Sequence, residues 1–281
     1  MRLTPEQVKG RIKSTAKRNH ADARTLLRIY MMERFLERIS LSQYRDNFII
    51  KGGILVTSLV GTALRSTMDI DTTIQSQKLT VDTARQIIDE IKDIDPGDGV
   101  VFEIKDVMSI MDEMEYPGIR VNMNAKMGGM VTPVKIDIST GDTITPHAIE
   151  YQYKLLLEDR FIQLWSYNLE TILAEKLQTV LARGVLNTRM RDFYDIRTLL
   201  TVYEQDIDED ILSRAFEATC INRGTENLAA DSLKIMAVIE TDRQLGRLWE
   251  SYRKKYPYAA EISYEDVILS MKNLVDKIQH Q

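Results

Sequence analysis

The stretch that decides the fold is residues 48–74, which read FIIKGGILVTSLVGTALRSTMDIDTTI. It opens on a short apolar run, 48–50, which predicts a strand that ends at two glycines. The apolar residues 54–60 then predict a short helix. From 68 to 74 apolar and polar side chains alternate, which predicts a second strand with Asp69 and Asp71 on one face. The stretch therefore indicates a sheet with polar groups close to a glycine-rich helix start.

Helical segments lie on both sides of this stretch. Thr4-Pro5 predicts a helix start, and residues 21–39 carry an apolar stripe at helical spacing. After the stretch, a helix is predicted at 81–94, and strands are predicted at 101–110, 119–126 and 134–138. From about residue 151 to the end the pattern is helical, with helices at 169–183, 191–203, 209–218, 231–240, 242–255 and 264–278.

These elements predict an α+β fold with a small mixed sheet and flanking helices. We expect an N-terminal helical segment at 1–45, a sheet domain at 46–150 and a C-terminal helical domain at 151–281. The length of 281 residues allows one large domain or two modest lobes, each with its own core.

Composition narrows the class of protein. Hydrophobic residues make up 44% and charged residues 28% of the chain, which is ordinary for a soluble globular protein. The sequence contains neither an apolar run long enough to span a membrane nor a signal peptide, and its single cysteine, Cys220, fits a reducing compartment. We therefore predict a cytoplasmic protein that does not enter a membrane.

Net charge is −5, so the whole molecule does not attract nucleic acid, but local basic runs remain. The run Arg253-Lys254-Lys255 is best interpreted as a solvated helix face. The arginines at 183, 189, 191 and 197 fit a solvated face and a basic groove for a nucleotide or RNA equally well.

The two aspartates of the second strand are candidate metal ligands. Side chains at i and i+2 of a strand share a face, so Asp69 and Asp71 point the same way. Such a pair repels unless a cation or several donors neutralise it, and Mg²⁺ commonly joins carboxylates to substrate phosphates. A solvated strand edge is the alternative interpretation.

Two neighbouring motifs favour a phosphate site. In Lys51-Gly52-Gly53 the glycines would let the backbone approach a phosphate in front of a helix N-terminus, although a simple turn is the alternative. Lys135 and Asp137 share one face of the strand at 134–138. A third strand carboxylate is what a two-metal phosphoryl-transfer site requires, and an exposed strand residue is the alternative.

Polar residues also interrupt the apolar stripes of two helices. Lys176 lies within the stripe of the helix at 169–183, where it must snorkel, pair with a carboxylate or face a ligand. Asp192 projects among the apolar residues of the next helix, where capping the helix is its alternative role. On successive helices these two side chains can point into one cleft, and Arg191 would add positive charge for phosphates.

In this order the motifs resemble the AbiEii/AbiGii toxin family, the toxins of type IV toxin–antitoxin pairs within the polymerase-beta-like nucleotidyltransferase superfamily. The resemblance covers roughly residues 15–205 and includes 28–36 and the run Arg65-Ser66-Thr67-Met68. The motifs that carry it are Gly52-Gly53, Asp69-Ile70-Asp71, Lys135-Ile136-Asp137, Lys176-Leu177-Gln178-Thr179, and Asp192 within Arg191-Asp192-Phe193-Tyr194-Asp195. Gly53 departs from the pattern, since many superfamily members have serine there. Spacing leaves open whether Asp192 or Asp195 is the final aspartate of the family, and periodicity favours Asp192.

The resemblance implies a polymerase-beta-like nucleotidyltransferase domain in an enzyme that moves a nucleotide from a nucleoside triphosphate (NTP) to an acceptor. In related toxins the acceptor is the 3′ end of tRNA. The resemblance further implies a cognate antitoxin and a role in abortive infection, a form of phage defence. Its implied catalytic residues are Asp69, Asp71, Asp137, Lys176 and Asp192, of which the first three would hold Mg²⁺ in a two-metal site. Its implied nucleotide-binding residues are Lys51, Gly52, Gly53, Thr67, Lys135, Thr179, Arg191 and Asp195.

Two alternatives remain open from the sequence. The same chemistry could modify a small molecule or a protein hydroxyl instead of RNA. A different class of function, a non-catalytic module that binds an antitoxin or nucleic acid, would leave the carboxylates vestigial.

Overall fold

The computed structural model describes residues 3–63, 65–75, 79–110 and 118–279. The chain divides into two compact units. The first, here called the sheet unit, comprises Met1–Asp142 and Ala148–Ser166. The second, the helical unit, comprises Thr143–His147 and Tyr167–Gln281. The division into 1–45, 46–150 and 151–281 stays a prediction.

The sheet unit contains the strands and the first four helices. Its elements are α1 (Pro5–Arg18), α2 (Ala23–Leu41), β1 (Phe48–Lys51), α3 (Gly52–Val60), β2 (Ile70–Ile74), α4 (Val81–Lys92), β3 (Val101–Ser109), β4 (Gly118–Met127), β5 (Met130–Ser139), β6 (Ile149–Lys154) and β7 (Phe161–Ser166). Thr4 caps α1 in a reciprocal capping box with Gln7, as expected for the Thr4-Pro5 start.

The seven strands form one mixed sheet in the order β3-β4-β5-β2-β1-β7-β6. The pairs β1–β7 and β2–β5 are parallel, and the other neighbours are antiparallel. The predicted mixed sheet with flanking helices is therefore confirmed. Since β1, β2 and β5 are central, the polar side chains of all three strands lie near the middle of the sheet rather than at an edge.

One prediction about this sheet is wrong. Residues 151–166 were expected to be helical, but β7 and most of its partner β6 lie there. In β7 the side chains of Ile162 and Leu164 are buried while Phe161 and Gln163 are exposed, a period of two that fits a strand. Both strands are only six residues long, so their alternation is a weaker signal than the long helical pattern that follows.

Helix α2 buries charged side chains as well as apolar ones. Glu33 accepts the backbone N–H of Leu156 at 3.0 and 3.1 Å, and Arg34 Nη1 lies 2.7 Å from Glu158 Oε1. Burial raises the pKa of Glu33 to about 8, although Arg34 and the Leu156 N–H oppose the shift. These contacts tie α2 to the segment between β6 and β7.

The helical unit consists of α5 (Leu169–Arg183), α6 (Met190–Tyr203), α7 (Glu209–Asn222), α8 (Leu228–Thr241), α9 (Arg243–Lys255) and α10 (Tyr264–Gln279). These bounds agree with the predicted helices to within a few residues at each end. Asn168, Asp208 and Asp242 each accept a backbone N–H at the start of a helix, which stabilises the first turn. Within the described part of the chain, no helix has the length and apolar character needed to cross a bilayer.

Candidate active site

Four charged residues form a row across the centre of the sheet. Strand pairing sets Lys51 of β1 opposite Asp71 of β2, Asp71 beside Asp137 of β5, and Asp137 opposite Arg120 of β4. The two aspartates are neighbours in a parallel pair, so their side chains lie on the same face of the sheet. The row thus places two carboxylates side by side between two cations.

Asp71 is held by the start of helix α3. Its Oδ2 accepts the backbone N–H of Gly53 at 3.0 Å. Gly52 has a φ of +58°, and a Cβ at this position would collide with the Asp71 carboxylate, so both backbone conformation and space require glycine. Burial raises the pKa of Asp71, the Gly53 N–H opposes this, and the negative charge of Asp137 raises the pKa further.

The glycine at position 53 has a structural explanation. A Cβ there would lie 2.5 Å from Thr67 Oγ1 and 2.8 Å from Arg65 Nη1. Arg65 is buried, and its Nη1 donates to the carbonyl oxygens of Gly53 at 3.2 Å and Ser66 at 2.8 Å. The space that a serine side chain would need is therefore filled, and the Thr67 hydroxyl lies where that side chain would begin.

Asp137 and Asp69 are both contacted by basic side chains. Arg120 donates from Nε to Asp137 Oδ1 at 2.9 Å and from Nη2 to Oδ2 at 3.0 Å. Lys135 Nζ lies 2.9 Å from Asp69 Oδ2 and 3.7 Å from Asp137 Oδ2. The predicted residues Asp69, Lys135 and Asp137 therefore meet, with Asp69 immediately before β2 rather than within it.

Lys51 has another partner close by. Its Nζ forms a short ion pair with Asp142, whose Oδ2 also accepts the Ser139 hydroxyl at 2.7 Å. Both side chains are almost fully buried. Lys51 therefore supports the end of β5 while its charge lowers the pKa of Asp71.

The donor set suits a hard divalent cation. Asp69, Asp71 and Asp137 offer only oxygen ligands, the kind that Mg²⁺ prefers. Among the described residues, however, no group of three His, Cys, Asp or Glu side chains is arranged to hold a metal ion. Lys135 instead places its ammonium group between Asp69 and Asp137, which shows that this position stabilises positive charge. The Lys135 side chain is 28% exposed, so its ammonium group is partly accessible to solvent.

The helical unit carries a second charged cluster. Lys176 Nζ lies 3.0 Å from Asp192 Oδ1 and 2.7 Å from Asp195 Oδ2. Both aspartates are buried, and Asp192 also pairs with Arg189 Nε at 2.7 Å. The predicted meeting of Lys176 and Asp192 on successive helices is observed. Asp195 shares the lysine, so these contacts do not single out one aspartate.

Two further candidates of this unit, Thr179 and Arg191, contact residues outside the Lys176 cluster. Thr179 donates to the carbonyl of Glu175 at 2.8 Å and accepts Arg223 Nη1 at 3.0 Å. The Arg191 guanidinium carbon lies 6.0 Å from the ring centroid of Tyr256. Nucleotide binding by Thr179 and Arg191 stays a prediction.

Sequence reasoning missed Arg120, Asp142 and the positional role of Arg65. A signal for Arg120 existed, because Met127 and Met130 flank the glycine pair 128–129 of a tight hairpin. Counting back from that turn sets Arg120 opposite Asp137. No comparable local signal marks Asp142, which lies in a loop after β5.

Comparison with known proteins decides the family. The model of the family described as nucleotidyl transferase AbiEii toxin, type IV TA system, matches residues 34–270. The chain belongs to the AbiEii family. The resemblance drawn from the sequence motifs is thereby confirmed, and this AbiEii protein is a nucleotidyltransferase.

Two crystal structures from Helicobacter pylori share the fold. A protein assigned as a nucleotidyltransferase is 17% identical, with a TM-score of 0.51 over 90% of the AbiEii chain and 94% of its own. The protein JHP933 is 16% identical, with a TM-score of 0.50 over 90% and 91% of the two chains. At these identities the likeness supports the fold alone. No curated protein matches the sequence.

Proposed function

We propose that this AbiEii protein uses Mg²⁺ to transfer a nucleotide from an NTP to the 3′ end of tRNA. The observation that carries the proposal is the side-by-side register of Asp71 and Asp137 on parallel strands, with Asp69 two residues before Asp71. Three carboxylates in this arrangement suit the two-metal chemistry of phosphoryl transfer.

The proposed transfer needs little covalent chemistry from the protein. The acceptor hydroxyl oxygen forms a bond to the α-phosphorus, the bond to the bridging oxygen of pyrophosphate breaks, and the hydroxyl proton leaves towards Asp137. When bound, the divalent cations would neutralise the phosphates and lower the pKa of the hydroxyl. Positioning and charge neutralisation by this chain's residues then supply the acceleration.

Each group in the sheet unit has a proposed task. Asp69, Asp71 and Asp137 would hold the cations. Lys135, released from Asp69, becomes available to a phosphate oxygen, because an ammonium group can exchange one oxygen anion for another. The start of α3, with Gly52 and Gly53, provides close backbone approach for phosphates near Asp71.

In the helical unit we assign Lys176 to the charge of the triphosphate. Asp192 and Asp195 keep its ammonium group in a fixed position, since both contact Nζ. Thr67, Thr179, Arg191 and Lys51 are proposed to support nucleotide binding. Family membership further supports a cognate antitoxin and a role in abortive infection against phage, in the cytoplasm.

The decisive experiment incubates the purified protein with total tRNA, Mg²⁺ and each of the four NTPs labelled at the α-phosphate. We expect label on tRNA with at least one NTP, no label with EDTA, and a label lost on ribonuclease digestion. Label on the protein itself or on a small molecule would contradict the tRNA assignment while keeping the chemistry. No transfer of label to any acceptor in a mixture that also contains cell extract would contradict the proposal as a whole.

A further inference from the structure

Three tyrosines, at the end of α9 and just after it, have neighbouring rings, of which Tyr256 and Tyr258 are stacked. Tyr252 and Tyr256 have ring centroids 4.7 Å apart, and Tyr256 and Tyr258 lie 5.3 Å apart at an interplanar angle of 22°. All three rings are partly exposed. We call this surface, Tyr252, Tyr256 and Tyr258, the tyrosine strip.

The tyrosine strip rests on buried aromatic side chains. Tyr252 stacks on Trp249 at 5.4 Å, and Trp249 is fully buried with its Nε1 donating to the carbonyl of Ile262 at 3.0 Å. Tyr258 packs against buried Tyr194 at 4.9 Å. Because these anchors fix the rings in place, little conformational entropy is lost when a flat ligand stacks on them.

Positive charge borders the strip. Lys255 Nζ lies 5.3 Å and the Arg191 guanidinium carbon 6.0 Å from the centre of the Tyr256 ring. Lys254, next along the chain, is exposed. Arg253 serves the fold instead, since its guanidinium donates to the carbonyl of Ala260 and pairs with Glu250 at 3.1 Å. The basic run at 253–255, interpreted from the sequence as a solvated helix face, thus divides into one structural arginine, one exposed lysine and one lysine beside an aromatic ring.

The strip and the Lys176 cluster both contact helix α6 of the helical unit. Arg191 and Tyr194 lie on α6 next to Asp192 and Asp195, the two partners of Lys176. Burial raises the pKa of Tyr252, and the neighbouring Tyr258 and the negative charge of Asp195 raise it further. Helix α6 therefore connects the strip to the lysine assigned to the triphosphate.

We propose that the tyrosine strip binds a single-stranded segment of the RNA acceptor, with bases stacked on Tyr256 and Tyr258 and phosphates near Arg191 and Lys255. This inference rests on the proposed function, because it concerns the acceptor of that reaction. Base–aromatic stacking beside cations is how proteins bind unpaired nucleic acid. Three neighbouring rings with two flanking cations offer more than one position for a base, whereas the base of a single NTP would occupy one ring.

The test measures binding without catalysis. A fluorescently labelled, single-stranded RNA of seven nucleotides is titrated with the full-length protein in EDTA without NTP, and binding is followed by anisotropy. The variants are Tyr256→Ala, Tyr256→Phe and Lys255→Glu. The matched charge control is Lys234→Glu, a highly exposed lysine on α8 that is paired with Asp231.

We expect Tyr256→Ala to weaken binding about tenfold, since stacking contributes roughly 1–3 kcal/mol per base. Lys255→Glu should weaken binding and reduce its salt dependence. Tyr256→Phe and Lys234→Glu should bind like wild type, and thermal melting should show all four variants folded. A double-stranded RNA of the same sequence should bind more weakly.

Two results would overturn the inference: no binding of the single strand by the wild-type protein, or equal affinities for wild type, Tyr256→Ala and Lys255→Glu. Because the assay contains neither metal nor NTP, its outcome is separate from that of nucleotide transfer. RNA binding through the strip without transfer would support the strip as an RNA-binding surface and contradict the proposed function.

Discussion

Arg120 donates two hydrogen bonds to Asp137, one to each carboxylate oxygen, at 2.9 and 3.0 Å. A bidentate pair of this kind fixes the plane of the carboxylate as well as its position. Asp137 stands beside Asp71 in the sheet, so the arginine also offsets the repulsion between two neighbouring carboxylates. The orientation of a proposed metal ligand is therefore set by a residue from the adjacent antiparallel strand.

Replacement of this arginine should impair transfer more than binding of the NTP. We expect Arg120→Met to lower the single-turnover rate constant by at least about tenfold, because partners that orient a metal ligand are worth roughly 10–100-fold in activity or metal affinity. Arg120→Lys should rescue little of this loss, since lysine keeps the charge but not the two-point contact. The matched control is Lys126→Met, which removes an exposed cation from the same strand. A wild-type rate for Arg120→Met would show that Asp137 needs no orientation.

Replacement of Asp69 should abolish nucleotide transfer and leave the fold intact. Asp69 precedes β2 and its side chain is about one-third exposed, so Asp69→Ala removes a proposed cation ligand without opening the core. We expect no detectable transfer of label to RNA and an unchanged circular dichroism spectrum. Asp89→Ala, at an exposed carboxylate on α4, serves as the control. A fully active Asp69→Ala protein would exclude this site.

The buried glutamate of α2 should make stability fall as pH rises. The pKa of Glu33 is raised from 4.5 to about 8 by burial, so the folded state holds a proton that the unfolded state has released between these values. The contribution is fully present below about pH 4.5 and is lost as pH rises through 8. Urea denaturation at pH 5, 6.5 and 8 measures this slope.

The pH dependence of the unfolding free energy should come from Glu33. Glu33→Gln keeps an acceptor for the Leu156 N–H but cannot ionise, so its unfolding free energy should vary less with pH than that of wild type. Glu261→Gln, at an exposed position, should leave the wild-type slope unchanged. If Glu33→Gln retains the full slope, another group is responsible for it.

Replacement of Gly53 by serine should destabilise the folded protein. The added Cβ would meet Thr67 Oγ1 and Arg65 Nη1 at distances shorter than van der Waals contact. We expect Gly53→Ser to lower the free energy of unfolding by about 1–3 kcal/mol, the usual range for overpacking. Gly10→Ala is the control, because nothing lies within 4 Å and an alanine favours the interior of α1. A Gly53→Ser protein as stable as wild type would show that Thr67 and Arg65 move aside easily.

Local patterns were enough to predict most elements of this fold. The apolar run at 48–50, the alternation around Ile70 and the stripes of α5 and α6 each report one element through its own periodicity. The same periodicity placed Lys176 and Asp192 on inward faces, and pairing with a carboxylate was one of the three roles it left for Lys176. The structure shows that role.

Pairing between distant strands could not be predicted in this way. The parallel register of Asp71 with Asp137 depends on the pairing of β2 with β5. More than fifty residues separate these strands, and no single turn connects them directly. The antiparallel register of Arg120 with Asp137 was accessible, because a two-residue glycine turn fixes it. The contact of Lys51 with Asp142 depends on a loop, and loops carry no period that could reveal their partners.

The pair of aspartates on Lys176 allows structural and functional roles of this lysine to be separated. Lys176→Met alone leaves Asp195 buried beside Asp192 without the shared ammonium group, so we expect a loss of roughly 3–5 kcal/mol in stability. The double variant Lys176→Met/Asp195→Asn removes the second charge, and Asp192 still has Arg189 at 2.7 Å. Its stability should therefore largely return.

Transfer activity should not return with it. If Lys176 contacts the triphosphate, the double variant is folded yet inactive, with a weakened affinity for NTP in equilibrium binding. The control is Asp195→Asn alone, in which Lys176 keeps Asp192 as a partner and activity is expected to persist at a reduced level. A double variant that regains both stability and transfer would show that Lys176 is only a counter-ion of the helical unit. Other residues would then neutralise the triphosphate. Lys135 is the first candidate, because its ammonium group already lies among the carboxylates.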